Sequence, residues 1–114
     1  LKRKSKTQRA KINLEIADIR LKETQQKLNL QVERAKSDYQ LSIENYQTAK
    51  KNLGLAERIE KKQQIKFFEG LSSSFDLAQA QNQLYSQQQT FIQSMLDVVA
   101  RKAALENALN IPLK

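Results

Sequence analysis

With 114 residues, 28% of them charged and 39% hydrophobic, and with one proline, two glycines and no cysteine, histidine or tryptophan, the sequence has the composition of a long helix or coiled coil. Aromatic residues make up 6% and mean hydropathy is −0.68, too little apolar surface for a thick globular core, so a rod is expected rather than a ball. The missing His and Cys remove the usual zinc ligands and the common nucleophile and base pairs, which argues against an enzyme and leaves no catalytic, cofactor or metal site to assign.

The net charge of +8 is unevenly placed. Residues 1–20 hold seven basic side chains (Lys2, Arg3, Lys4, Lys6, Arg9, Lys11, Arg20) against Glu15 and Asp18, an excess of five. Residues 71–114 balance at three against three. Lys2, Arg3, Lys4 and Lys6 thus form a basic end that could meet phosphates of lipid headgroups or of nucleic acid. No aromatic residue interleaves the cluster to stack on bases, which favours a solvated or membrane-proximal segment and no nucleic-acid partner. No run of 18 apolar residues is present, and the basic start is not followed by an apolar stretch with a small-residue cleavage site, so neither a spanning helix nor an export signal is expected in the chain.

The first element, residues 1–69, reads as one long helix from about residue 5 to Glu69. Two lines of a seven-residue repeat run along it: Leu14, Leu21, Leu28, Ala35, Ser42, Ala49 and Ala56, and Val32, Tyr39, Tyr46, Leu53, Glu60 and Phe67. The small residues of the later half predict close antiparallel packing there. Ile12, Ile16, Ile19, Leu30, Leu41, Ile43, Leu55, Ile59 and Ile65 fall off the seam, so a second face must also be buried. Gly54 reads as a tolerated defect, or as a point of close approach by a neighbouring helix.

A break follows at EGLSSSFDLAQAQ. Gly70 can close a helix C-terminus in the left-handed conformation, and Ser73 with Asp76 three residues on has the form of a capping box with Asp in place of Glu. Residues 70–73 are the predicted hairpin tip, and Leu71, apolar at the exposed end of a rod, suits a docking surface. The second helix is predicted over 74–110. Leu77, Leu84, Phe91, Val98 and Leu105 form its stripe, Met95 and Leu109 are its companions, and a second line runs through Ala78, Tyr85, Ile92 and Val99. Pro112 ends it and leaves 111–114 as a tail.

At about 1.5 Å per residue the helices span on the order of 100 and 57 Å. The second therefore reaches back only to about residue 32, residues 1–31 lack an intrachain partner, and the chain reads as one domain within something larger or within an oligomer. The expected fold is all-α, a long antiparallel hairpin with one helix much longer than the other.

The stretch FFEGLSSSFDLAQAQNQLYSQQQTFIQSMLDVVARKAALENALNIP resembles the last helical hairpin of the TolC-like outer-membrane channels of drug efflux and type I secretion. The match is carried by Phe67, Gly70, Leu71, Ser73, Asp76, Leu77, Ala80, Gln81 and Leu84, and by Ala104, Leu105, Ala108 and Leu109. KLNLQVERAKSDYQLSIENYQTAKKNLGLAERIEKKQQIKFF similarly looks like the family's long helix.

The resemblance implies a homotrimer in which an outer-membrane β-barrel, not in this chain, continues into a periplasmic α-helical barrel. Its tips meet a periplasmic adaptor protein and, through it, an inner-membrane pump. Carried over, Gly70, Leu71, Ser72 and Ser73 become the adaptor-docking tip, and Asp76 and Gln79 lie at the tunnel entrance. Gln79 stands where many members have a second acid. Lys2, Arg3, Lys4 and Lys6 become a cluster near the inner leaflet of the outer membrane.

Two other readings remain open. An adaptor's own hairpin would carry Arg and Leu before its tip, and the Arg is missing here. A structural or basic coiled coil binding membrane or nucleic acid would show steep salt dependence and indifference to changes at the tip.

Overall fold

The computed structural model describes residues 2–110; the expected tail at 111–114 lies outside the described residues. Two helices account for nearly all of the described chain, α1 (Lys2–Phe68) and α2 (Ser74–Asn110). They lie against one another in a rod of 101 × 22 × 14 Å, an all-α hairpin with no strand among the described residues. The first helix starts three residues before the expected residue 5 and ends one before Glu69, which already lies in the turn.

The intrachain seam follows the seven-residue repeat. Along α1, Leu28, Val32, Ala35, Tyr39, Ser42, Tyr46, Ala49, Leu53, Ala56 and Glu60 are all buried or half-buried. Ser42, Ala49 and Ala56 are 2%, 4% and 7% exposed, and Ala80 of α2 is 7%. These small side chains are the most buried because they let the two backbones approach, which leaves no room for solvent between them. Ser42 Oγ donates to the Tyr39 carbonyl at 2.6 Å and Ser94 Oγ to the Phe91 carbonyl at 2.7 Å, so the seam serines satisfy their hydroxyls within their own helices.

Three cross-pairs mark the register. Ser72 bonds Gln63 at the turn, Tyr46 stacks on Phe91 mid-seam, and Arg101 reaches Asp38 at 3.7 Å towards the far end. Arg101 also pairs with Asp97 at 3.3 Å on its own helix. In this register the end of α2 falls level with Leu28, the first residue of α1 to be partly covered. Residues 2–27 are all exposed, so pairing extends about one turn beyond the expected limit near residue 32.

On α2 the repeat Leu77, Leu84, Phe91, Val98 and Leu105 faces α1, but its companions differ from expectation. Ala80, Gln87, Ser94 and Ala108, three residues on in each case, share the seam, whereas Met95 and Leu109 are 41% and 45% exposed. The three-residue positions face the small side chains of α1. At Met95 and Leu109 the four-residue positions fall on the outer flank.

A second apolar face stays uncovered. Ile12, Ile16, Ile19, Leu30, Leu41, Leu55 and Ile59, with Tyr85, Ile92, Leu96 and Val99 on α2, are 43% to 67% exposed. On α1 the two faces keep different time: the seam repeats every seven residues, while Ile19, Leu30 and Leu41 are spaced by eleven. Around a straight helix a seven-residue line drifts about 20° per repeat, and an eleven-residue line drifts about 20° per repeat the other way. The faces are therefore about 160° apart near Leu28 and Leu30 and only about 60° apart near Ala56 and Ile59. Far from the turn α1 presents apolar surface on opposite sides; near the turn, both surfaces open on one side.

Candidate functional site: the hairpin tip and the groove beside it

The turn is assembled from two capping motifs in series. Gly70 has φ +74°, the left-handed conformation an L side chain resists. It lets its own N–H donate to the Phe67 carbonyl at 3.1 Å and the Leu71 N–H donate to the Lys66 carbonyl at 2.7 Å. This pair of bonds is the Schellman closure, and it satisfies two of the carbonyls orphaned at the end of α1. On the other side Ser73 caps α2. Its carbonyl accepts the first helical bond from the Leu77 N–H at 3.2 Å, and its Oγ accepts from the Asp76 N–H at 3.1 Å. The reciprocal bond from the Ser73 N–H to the Asp76 carboxylate is not formed; Asp is one methylene shorter than the Glu that usually completes the box. The carboxylate still sits in the first turn of α2, where the helix dipole favours a negative charge.

Ser72 ties the turn back onto α1, its Oγ donating to Gln63 Oε1 at 2.8 Å. Sequence reasoning did not single out Gln63, although it stands seven residues after Ala56 on the seam line. Leu71 remains 73% exposed. So do Phe68 at 78% and Phe75 at 73%, two tip residues that periodicity passed over because neither lies on a seam. Phe68 packs edge-on against Phe67, with ring centroids 5.9 Å apart.

Asp76 and Gln79 line one face of a groove of roughly 530 Å³ beside the tip, together with Gln63, Gln83, Leu55 and Ile59. This groove lies where the two apolar faces of α1 converge, and its lining mixes amides, one carboxylate and aliphatic side chains. Gly54 nearby is half-buried on the same helix, with no atom within 4 Å of where a Cβ would stand.

Lys2, Arg3, Lys4 and Lys6 lie at the opposite end of the rod, all exposed on the first turns described of α1. Among the described residues, salt bridges join Lys22 to Asp18, Lys36 to Glu33, and Arg101 to Asp38 and Asp97, and none involves these four. The hairpin thus brings the tip and groove residues together and holds the basic cluster about 100 Å away. No described helix is long and apolar enough to cross a membrane.

No curated protein and no solved structure matches the chain. The profile of the outer membrane efflux protein family does, over residues 2–110, and with a match spanning the described length of both helices the chain belongs to that family.

Proposed function

We propose that this hairpin is a tunnel-wall segment of a trimeric outer-membrane channel for drug efflux or type I secretion, lying in the periplasm with its turn pointing away from the outer membrane. The family is one of outer-membrane efflux proteins, and the observation that carries the finer reading is the second, uncovered apolar stripe on each helix. A hairpin that needs neighbours on both sides is what a stave in a closed wall of helices requires. The many exposed glutamines suit a polar face towards a water-filled lumen.

In this arrangement the turn at Gly70, Leu71, Ser72 and Ser73 docks a periplasmic adaptor protein, which links the channel to an inner-membrane pump. Asp76 and Gln79 sit at the tunnel entrance, where a single carboxylate per chain gives a mild cation preference. Lys2, Arg3, Lys4 and Lys6 face the inner leaflet of the outer membrane, beside a barrel contributed by sequence outside this chain.

The test is a cysteine replacing Leu71 in the full-length parent protein, coupled to a short crosslinker in intact cells. Capture of a periplasmic adaptor, identified by mass spectrometry, supports the reading. If Leu71→Cys captures nothing while a control Tyr85→Cys captures its own chain, the docking role is lost and the hairpin is a structural element only.

A further inference from the structure

Charge is sorted by side along the hairpin. Between Asp76 and Asp97 of α2 stand 20 residues with no Lys, Arg, Asp or Glu, where a chain 28% charged would carry about six. Steps of three and four residues in turn from Asp76 lead to Gln79, Gln83, Ser86, Thr90, Gln93 and then Asp97, a strip about 31 Å long. The five residues between its ends fall within about 80° of arc on the helix, and all are amides or hydroxyls. The groove beside the tip and its continuation away from the tip place most of this strip on the same side as Asn45, Thr48 and Asn52 of α1. Among the described residues lining them, the charged ones are Asp76 and Asp97.

The charges of α1 lie elsewhere on that helix. Asn45 and Asn52 are within about 40° of the seam residue Ala56 round α1, whereas Lys50, Lys51, Arg58 and Lys61 are about 120–160° from it. The second apolar stripe of α2, through Ala78, Tyr85, Ile92 and Val99, is about 100–160° from the middle of the strip. A helix of a neighbouring hairpin packing on α2 therefore meets that apolar line and leaves the strip free.

We infer that α2 faces the lumen along this strip while α1 turns its charged back outward, so that the hairpin's share of the tunnel wall is charge-free for about 31 Å beyond Asp76 and passes solutes of either sign. This rests on the reading of the hairpin as a tunnel stave. In a trimer each lumen charge is repeated three times as a ring, which in a narrow, low-dielectric passage repels one sign of solute and traps the other. Amides supply both donors and acceptors, as do hydroxyls, so they keep the passage wet and favour neither sign. A surface towards open water has no such demand, because salt screens it, and there the chain uses Lys, Arg and Glu. At the far end of the strip Asp97 is paired with Arg101 at 3.3 Å, and Arg101 also reaches Asp38 at 3.7 Å. Selection by charge along the strip is thus confined to Asp76 at the entrance.

The experiment reconstitutes the full-length trimer in planar bilayers and reads the ratio of K⁺ to Cl⁻ permeability from the reversal potential in a KCl gradient. Gln83→Glu and Gln93→Glu should each raise the ratio at least about threefold, and Gln83→Lys and Gln93→Lys should lower it by a similar factor. Arg58→Glu changes the charge by two units per chain rather than one, yet should leave the ratio within about 1.5-fold. Where a charged variant fails to assemble, Gln83→Cys and Gln93→Cys are assembled first and then treated with a methanethiosulfonate bearing a sulfonate or an ammonium group. The two reagents should move the ratio in the same two directions, and neither should move it in Arg58→Cys.

A ratio that follows Arg58 as strongly as Gln83 and Gln93, or more so, overturns the inference, because the charged back of α1 then shares the lumen. A ratio that follows none of the three positions places the strip against a neighbouring helix and overturns it as well. In both cases the channel reading stands. If the unaltered protein carries no current, the tunnel-wall reading fails and this inference with it.

Discussion

Tyr46 of α1 and Phe91 of α2 stack with ring centroids 5.3 Å apart and planes inclined by 30°, midway along the seam between the small residues Ser42 and Ala49. They are the bulkiest contact in an otherwise shallow interface. Fully buried Phe→Ala changes cost about 3–5 kcal/mol, and both rings here are half-buried, so Phe91→Ala should cost about 2–3 kcal/mol and Tyr46→Ala somewhat less. A double-mutant cycle should return a coupling of about 1 kcal/mol. Urea denaturation followed by circular dichroism measures all three, and additivity of the two single changes would show that the stack contributes only area.

The small residues on either side predict the opposite sensitivity. Ser42 is 2% exposed, with its hydroxyl bonded to its own helix, so Ser42→Ala removes nothing the interface uses and should change stability by less than about 0.5 kcal/mol. Ser42→Leu must push the backbones apart and should cost about 1–3 kcal/mol. The same measurement reads both. If leucine is accepted without loss, the helices are not held at close range by this residue.

This part of the fold was open to sequence reading because it is periodic. Leu28, Ser42 and Ala56 share one line whether or not a partner is seen, and a glycine beside serines is a helix punctuation mark in any context. Met95 was misjudged because a seven-residue repeat has companions both three and four residues on, and only the shape of the facing helix selects between Ser94 and Met95. Phe68 and Phe75 were passed over for a different reason: their interest lies in not being buried, and a pattern search for burial is blind to that. The second capping bond expected between Asp76 and Ser73 is absent because its formation depends on a single methylene.

The two glycines should respond in opposite directions. Gly54 is helical with open space around its missing Cβ, so Gly54→Ala should stabilise the isolated hairpin by about 1 kcal/mol. Gly70 at φ +74° should lose about 1–2 kcal/mol on the same change. Thermal melts of the two variants decide this directly. A further readout separates the two explanations for Gly54: if Gly54→Ala stabilises the hairpin yet lowers trimer recovery in the full-length protein, a neighbouring helix passes close to that point.

The exposed stripe on the unpaired part of α1 should drive self-association of the chain in isolation. Ile12, Ile16, Ile19, Leu14 and Leu21 are 43% to 71% exposed within residues 2–27, where none of the described residues of α2 covers them. Light scattering at rising concentration should show dimers or higher species, and replacing Ile16 and Ile19 with Glu should shift the midpoint at least about tenfold. A strict monomer at high concentration would remove residues 5–31 as an association surface.

The last prediction concerns the end of the rod farthest from the tip. Lys2, Arg3, Lys4 and Lys6 are exposed and engage no carboxylate among the described residues, so their charge is available to a surface outside the chain. Each basic residue near an anionic bilayer contributes about 1 kcal/mol at physiological ionic strength. Replacing all four with Gln should therefore weaken binding of the chain to phosphatidylglycerol vesicles by about three orders of magnitude. Raising salt to about 1 M, where the screening length falls to about 3 Å, should abolish the binding of the unaltered chain as well. Phe68→Ser and Phe75→Ser should leave it intact, since the tip carries no excess positive charge. Equal binding to neutral phosphatidylcholine vesicles, or an unchanged affinity in the four-fold variant, would detach the basic cluster from the membrane and leave it a solvated helix end.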